Sequence, residues 1–151
     1  MNIRRTLALT LPLLSVGFTA PAVAHDLNFK TLGFNTGASA TDVWEVGCLN
    51  SATLGDSERL VAQIKDLVNN DTNLLSILIY KNGKAISATD NIGGDAGYSP
   101  LVSLNGGNGT YTMMVTRSQA SFQAYSITYH CESAAGDHTP TTVPTTPVQD
   151  Q

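Results

Sequence analysis

The amino-acid sequence predicts an all-β protein, and three features of the chain indicate that class. Charged residues make up only 13% of the 151 residues, and Gly, Ser, Thr and Asn are abundant, whereas helices favour Ala, Leu, Glu and Lys. Several short segments carry an apolar residue at every second position, which is the period of a half-buried strand. An Asn-Gly pair stands between two of these segments and is the typical signal of a tight hairpin turn.

Residues 1–24 have the composition of a secretory signal peptide. Two arginines precede the apolar stretch TLALTLPLLSVGF, which at about a dozen residues is too short to span a bilayer comfortably. Ala22 and Ala24 are small residues of the kind that a signal peptidase requires. We therefore expect a secreted or periplasmic protein that begins at His25 and has no membrane span in its mature part. A membrane anchor is the alternative.

The mature part, about 127 residues (151 − 24), suits one domain and is acidic. Without Arg4 and Arg5 it has 6 basic residues (8 − 2) against 12 acidic ones, which gives a net charge of −6. Because the chain has no basic cluster, its charge excludes nucleic acid as a partner class. We expect a protein or a polysaccharide as the ligand, at the cell envelope or outside it.

Residues 25–39 have no clear period, so we expect an N-terminal arm or an edge strand there. The predicted domain covers residues 40–132 and opens with TDVWEVGC, a strand in which Trp44, Val46 and Cys48 share one face. The next alternating segment, RLVAQIKDL, is predicted to be a strand, with a helix as the alternative.

The stretch NLLSILIYKNGKAISAT is the clearest hairpin. Its apolar run ends at Tyr80, Asn82-Gly83 supplies the positive φ angles of a two-residue turn, and Ala85-Ile86 begins the return strand. Two later segments, TYTMMVTR and AYSITYHC, are also predicted to be strands, each with its apolar residues on one face. In the first segment, Tyr111, Met113 and Val115 share a face. In the second, the shared face carries Tyr125, Ile127, Tyr129 and Cys131.

The two cysteines are expected to form a disulfide bond. An exported chain with two thiols generally pairs them, and reactive free thiols are the alternative. Cys48 continues the face of Trp44, and Cys131 continues the face of Tyr129. If those faces are buried, both sulfurs point inward and the first and last core strands lie close enough to be bridged.

Two segments lack a strand pattern. The loop DNIGGDAGYSP holds our three candidate ligand-binding residues, Tyr98, Asp90 and Asp95, and Tyr98 is the candidate for an exposed aromatic contact. Turn fixing, through side-chain bonds to nearby backbone N–H groups, is the alternative function of the two carboxylates. Residues 133–151 alternate Thr and Pro with almost nothing apolar to bury, which predicts a disordered tail.

The order and spacing of these motifs resemble the bacterial pre-peptidase C-terminal domain over residues 40–131. That family typically has an Asp before an aromatic-containing first strand, then a hairpin, a strand of the form "GtYyi.V" and a closing strand of the form "Y.l.i". The corresponding residues here are Asp42 and Trp44, then 78–83 with Ile86, then 109–115 and 125–127.

The resemblance implies an antiparallel β-sandwich of the jelly-roll or immunoglobulin-like kind. In relatives the module is non-catalytic and usually attached to a secreted hydrolase, where it assists export, substrate binding or stability. Some collagen-binding relatives coordinate calcium near the first strand, but here Asp42 stands without the denser acidic cluster that calcium prefers. No Gly-x-Ser-x-Gly or His-Glu-x-x-His motif occurs, so we expect a non-catalytic binding or structural module.

A copper site is the alternative function. Once the leader is removed, the amino and ring nitrogens of His25 could chelate Cu(II). His130 is the best partner, because the alternation places it on the solvent face of its strand. His138 lies in the predicted disordered tail, so we do not expect it to be held rigidly.

Overall fold

The computed structural model describes residues 24–33, 37–69 and 72–151, and in these ranges the chain forms nine strands and no helix. The predicted all-β class is therefore confirmed, and RLVAQIKDL belongs to a strand rather than a helix. Except for Ala24, the predicted leader lies outside the described residues. The strands are β1 (His25–Leu32), β2 (Thr41–Cys48), β3 (Arg59–Asp66), β4 (Leu75–Lys81), β5 (Lys84–Asp90), β6 (Val102–Asn105), β7 (Gly109–Arg117), β8 (Gln123–Glu132) and β9 (His138–Thr139).

The strands form two antiparallel sheets that pack face to face as a β-sandwich. The first sheet has the order β1-β8-β3-β6, with the short β9 added beside β8, and the second has the order β2-β7-β4-β5. The described part of the chain contains no helical segment that could span a bilayer. Both sheets point alternate residues inward, so the predicted apolar faces form one core. Its largest buried side chains include Trp44, Tyr111 and Met113 from the second sheet, and Leu60, Ile64, Tyr125, Ile127 and Tyr129 from the first.

The predicted hairpin connects β4 and β5. Lys81 pairs with Lys84, so the loop contains only Asn82 and Gly83. Their φ angles are 50° and 75°, the left-handed values that a two-residue turn requires at both central positions. The turn residues therefore set the register of the whole β4–β5 pair.

A disulfide bond between Cys48 and Cys131 joins the two sheets. The Cα atoms are 5.6 Å apart, and both residues are fully buried. Cys48 ends β2 in the second sheet, while Cys131 lies near the end of β8 in the first. The expected pairing is thus confirmed, and the bond crosses the core rather than linking neighbouring strands.

A buried polar network joins the same two strands at their other ends. The indole N–H of Trp44 donates to the Tyr125 hydroxyl at 3.1 Å, and that hydroxyl donates to Oδ2 of Asp42 at 2.6 Å. Burial, followed by the bond to Asp42, raises the pKa of Tyr125 far above its ordinary value, so the phenol keeps its proton. Each buried polar atom in this chain of bonds therefore has a partner.

Residues 133–151, for which the sequence predicts a disordered tail, instead lie along the sandwich. β9 pairs with the end of β8, and the chain then follows the exposed edge of β2. The amide of Leu49 donates to the Pro140 carbonyl at 2.9 Å, Thr142 exchanges bonds with Gly47, and Val148 donates to the Val43 carbonyl at 2.7 Å. We refer to residues 138–151 as the C-terminal strap.

The strap is held by hydrogen bonds of its backbone and of its threonine hydroxyls rather than by apolar burial, which explains why its composition suggested disorder. Its last residue, Gln151, donates its amide to Oδ1 of Asp42 at 3.0 Å and accepts the amide of Gly33 at 2.6 Å. Proline is compatible with this position because an edge strand does not need every N–H group. The strap therefore covers an edge that would otherwise be open to pairing with another chain.

The disulfide is expected to carry a large part of the stability. Closing a loop of 83 residues stabilises the fold by up to about 4.5 kcal/mol in the chain-entropy model. We expect the double variant Cys48→Ala/Cys131→Ala to lose several kcal/mol of unfolding free energy in denaturant titrations.

Alkylation followed by mass measurement tests the bond itself. Because both cysteines are fully buried, alkylation should be performed in denaturant. No mass gain without reductant and two adducts with it are expected, whereas two adducts without reductant would contradict the bond.

Deletion of residues 140–151 is expected to destabilise the protein by about 3 kcal/mol, since several hydrogen bonds of about 1 kcal/mol each are lost. The uncovered edge of β2 should also promote self-association, which size-exclusion chromatography detects. Substitution of Thr145, an exposed strap residue, by Ala is the matched control and should have no effect. A deletion variant as stable and monomeric as the parent would contradict the packing of the strap.

Candidate functional site

The structure brings together the three predicted ligand residues of the Gly/Asp loop. Asp90, Asp95 and Tyr98 line one open cavity of about 170 Å³, which we call the loop cavity. Asp90 is the last residue of β5, and the other two lie in the loop that follows it. The loop cavity therefore contains an aromatic ring and two carboxyl groups within one short stretch of chain.

The two carboxylates of the loop cavity have different surroundings. Asp90 is buried, and its oxygens accept the amides of Asp66 at 2.8 Å and Ile92 at 3.1 Å. Asp95 is exposed, and one of its oxygens accepts the amide of Gly97 at 2.7 Å. Asp90 consequently holds the base of the loop, while Asp95 presents negative charge at the mouth of the cavity.

Tyr98 presents its ring to solvent in a fixed position. Its side chain is 36% exposed, and the Lys65 ammonium lies 4.8 Å from the ring centroid. The next residue, Ser99, is clamped to β3, because its amide donates to the Ile64 carbonyl at 2.7 Å and its hydroxyl accepts the Ile64 amide at 3.1 Å. The ring is therefore held by β3 rather than carried on a loosely attached loop.

Sequence reasoning missed two apolar residues beside Tyr98. Ile92 is 64% exposed and Leu101 is 60% exposed, and Ile92 also lines the loop cavity. Isolated apolar residues among Gly, Asp and Ser follow no strand or helix period, so only the folded loop reveals them.

A second cavity, of about 320 Å³, lies beside the β4–β5 turn and is lined by Glu58, Lys81 and Lys84 among others. Lys81 donates to the carbonyls of Gly107 at 3.0 Å and Asn108 at 2.6 Å. Burial lowers the pKa of Lys81. The Lys81 ammonium thus supports the neighbouring loop. Because it is already bonded to two carbonyls, it is less available to a ligand in this cavity.

A third cavity, of about 130 Å³, contains an aromatic residue that the sequence did not single out. Phe29 is 77% exposed and has a φ of 53°, a left-handed value, at a break in the pairing of β1 with β8. The break is a β-bulge, which re-aims side chains at the edge of a sheet. Phe29 is therefore a further exposed aromatic residue, and its cavity is an alternative binding site to the loop cavity.

The predicted copper pair, His25 with His130, is not brought together. His25 pairs with Tyr129, so both side chains lie on the inner side of β8, and their ring centroids are 5.9 Å apart. His130 is the next residue of β8 and therefore points to the opposite face. This corrects the sequence-based hypothesis, which had no register from which to judge the face of His25.

His130 instead lies beside His138, the histidine that the sequence placed in a disordered tail. Their rings are stacked, with centroids 3.9 Å apart and planes 17° apart. Nε2 of His130 is 2.8 Å from Oε1 of Glu132, and Nε of Arg59 donates to Oε2 of Glu132 at 2.7 Å. Burial raises the pKa of Glu132, but the bonds from His130 and Arg59 outweigh burial and hold that pKa below its ordinary value.

Asp42, the acidic residue of the first predicted strand at which calcium was considered, is engaged in the core. Its oxygens accept the Tyr125 hydroxyl and the Gln151 amide, and the residue is only 1% exposed. Burial is the main cause that raises the pKa of Asp42, against the lowering effect of these two bonds. A calcium ion needs six or more oxygen ligands, so this carboxyl fits a structural function better.

No protein-family model and no curated protein sequence matches the chain. Among solved structures, it is similar to "CBM35 from Cellvibrio japonicus Abf62", with 13% sequence identity and a TM-score of 0.43. The match covers 74% of this chain and 99% of that one. A likeness at this level carries no inference about function.

The raised pKa of Asp42 predicts a specific dependence of stability on pH. The contribution of Asp42 is fully present below the ordinary aspartate pKa of 3.8 and is lost as pH rises through the raised pKa. The uncharged variant Asp42→Asn should lack this loss. We therefore expect the unfolding free energy of the parent to fall, relative to that of the variant, as pH rises above the ordinary aspartate pKa of 3.8 and through the raised pKa of Asp42.

Denaturant titrations of both proteins across this range provide the measurement. The variant also changes a hydrogen bond at every pH. The diagnostic quantity is therefore the slope of unfolding free energy against pH, and not the unfolding free energy at one pH. The lowered pKa of Glu132 acts in the opposite direction, but it is common to both proteins and cancels in the difference. Equal slopes would contradict a raised pKa at Asp42.

Proposed function

We propose that the protein is an exported, non-catalytic binding module that recognises a polysaccharide through the loop cavity. The observation that carries the proposal is the exposed ring of Tyr98, which Lys65 and the Ser99 clamp hold beside the carboxylate of Asp95. A sugar ring has an apolar face of C–H groups that packs on an aromatic ring. It also has hydroxyl groups that donate to carboxylates. The loop cavity offers both kinds of contact.

The size of the loop cavity favours one unit of a polymer over an enclosed small molecule. Sites that bury a drug-sized ligand have volumes of about 300–1,000 Å³. The loop cavity has about 170 Å³ and is open to solvent. Such a cavity suits a single sugar residue of a chain that continues across the surface, where Ile92 and Leu101 add exposed apolar contacts.

The proposed type of module is the pre-peptidase C-terminal domain. Each motif behind that resemblance forms one strand or hairpin: TDVWEV lies in β2, the Asn-Gly turn joins β4 and β5, and the last two motifs lie in β7 and β8. An ordered series of strand motifs supports the type of domain but does not specify its ligand. We therefore infer the class of ligand from the residues of the loop cavity alone.

Export is the proposed route to the ligand. The Cys48–Cys131 bond supports it, because disulfides persist in oxidising compartments such as the periplasm and the cell exterior. The predicted leader at residues 1–24 agrees with the same compartments.

The variant Tyr98→Ala is expected to weaken polysaccharide binding by about tenfold, which corresponds to roughly 1.4 kcal/mol and is the size of one aromatic contact. Affinity electrophoresis in gels that contain xylan, pectin, mixed-linkage glucan or pullulan measures the retardation of the protein. Tyr80→Ala is the matched control, because Tyr80 is 43% exposed on β4, away from the loop cavity.

The control variants define the result that would contradict the proposal. Equal retardation of the parent and Tyr98→Ala would exclude the loop cavity as the binding site. Loss of retardation in Phe29→Ala alone would assign binding to the third cavity. A parent protein that no polysaccharide in such a panel retards would leave a protein ligand as the better hypothesis.

A further inference from the structure

Three side chains that commonly bind metals meet on the outer face of the first sheet, where β9 joins β8. His130 and Glu132 are two residues apart on β8 and therefore share a face, and His138 of β9 pairs directly with Glu132. One nitrogen or oxygen atom from each residue lies within 4.8 Å of the corresponding atoms of the other two. We call this group the histidine cluster.

The distances in the histidine cluster are close to those of a metal site. Around tetrahedral Zn²⁺, bonds of about 2.0–2.1 Å separate the ligand atoms by about 3.3 Å. Nε2 of His130 and Oε1 of Glu132 are 2.8 Å apart, so an ion could replace the hydrogen bond between them with a small outward movement. Nδ1 of His130 is buried and has no hydrogen-bond partner among the described residues, so turning the ring breaks no further bond.

Other contacts hold the cluster in place without help from a metal. The Thr139 hydroxyl lies 2.5 Å from the Ser57 hydroxyl, and the Thr141 hydroxyl accepts the amide of Cys131 at 2.9 Å. These bonds fix β9, and thus His138, beside β8. Arg59 binds Oε2 of Glu132, which leaves Oε1 directed at His130. A site arranged in this way pays little ordering entropy when an ion binds.

We propose that His130, Glu132 and His138 bind one divalent transition-metal ion of the class to which zinc and copper belong. Two imidazole nitrogens and one carboxylate oxygen suit these ions, whereas calcium and magnesium require sets made mainly of oxygen. Three protein ligands leave a fourth position for water or an external ligand. The charge of Arg59 opposes a bound cation, so the affinity is moderate. The site is independent of polysaccharide binding at the loop cavity.

Isothermal titration calorimetry with ZnCl₂ at neutral pH tests the proposal on the tag-free protein. We expect one Zn²⁺ per chain and a higher melting temperature when the ion is bound. Excess Ca²⁺ should not displace it. His138→Ala and Glu132→Gln should each weaken binding by at least about tenfold. His25→Ala, which removes a histidine on the other face of the sheet, is the matched control and should bind like the parent.

Circular dichroism establishes that each variant is folded, which we expect because Thr139 and Thr141 hold β9 independently of His138. A parent protein that binds no Zn²⁺ would overturn the proposal. Undiminished binding in either folded cluster variant would overturn it as well. Loss of binding in His25→Ala would assign the ion to the amino-terminal histidine instead.

Discussion

The architecture depends on β2 and β8 facing each other across the core and running in the same direction. Asp42 meets Tyr125 at one end, and Cys48 meets Cys131 at the other, with a sequence separation of 83 residues in both cases. Six residues of extended strand span about 20 Å, so the two links tie the sheets together at both ends of the core. A relative slip of either strand would break the disulfide and leave the buried polar atoms of Asp42 and Tyr125 without partners.

The C-terminal strap follows from this arrangement. β8 ends beside the disulfide, so the chain after it emerges next to the exposed edge of β2 and can return along that edge to Asp42. In doing so it protects the edge and supplies the Gln151 amide to a carboxyl group that burial would otherwise leave poorly solvated. The same path carries His138 past His130. One stretch of backbone pairing therefore completes the core network and assembles the histidine cluster.

The features that could be predicted from sequence are those in which the pattern of side chains itself indicates the local backbone conformation. Alternating apolar residues in β2, β7 and β8 indicated the core, and the inward direction of Cys48 and Cys131 followed from the same period. Asn82-Gly83 indicated its turn because few other residues adopt positive φ at two successive positions. The strap could not be predicted, since its bonds are made by backbone groups that every sequence has and by polar side chains, such as the Thr141 and Thr142 hydroxyls, that follow no strand or helix period. The faces of His25 and His130 depend on the β1–β8 register, and the bulge at Phe29 interrupts that register.

Strand β3 connects the two candidate sites. Its outward residues include Lys65, which lies over the ring of Tyr98, and Arg59, which orients Glu132 in the histidine cluster. Six residues separate them, about 20 Å along an extended strand, which exceeds the distance at which substitutions usually influence each other. Each site therefore has its own supporting contacts, and the two sites share only the strand that carries Lys65 and Arg59.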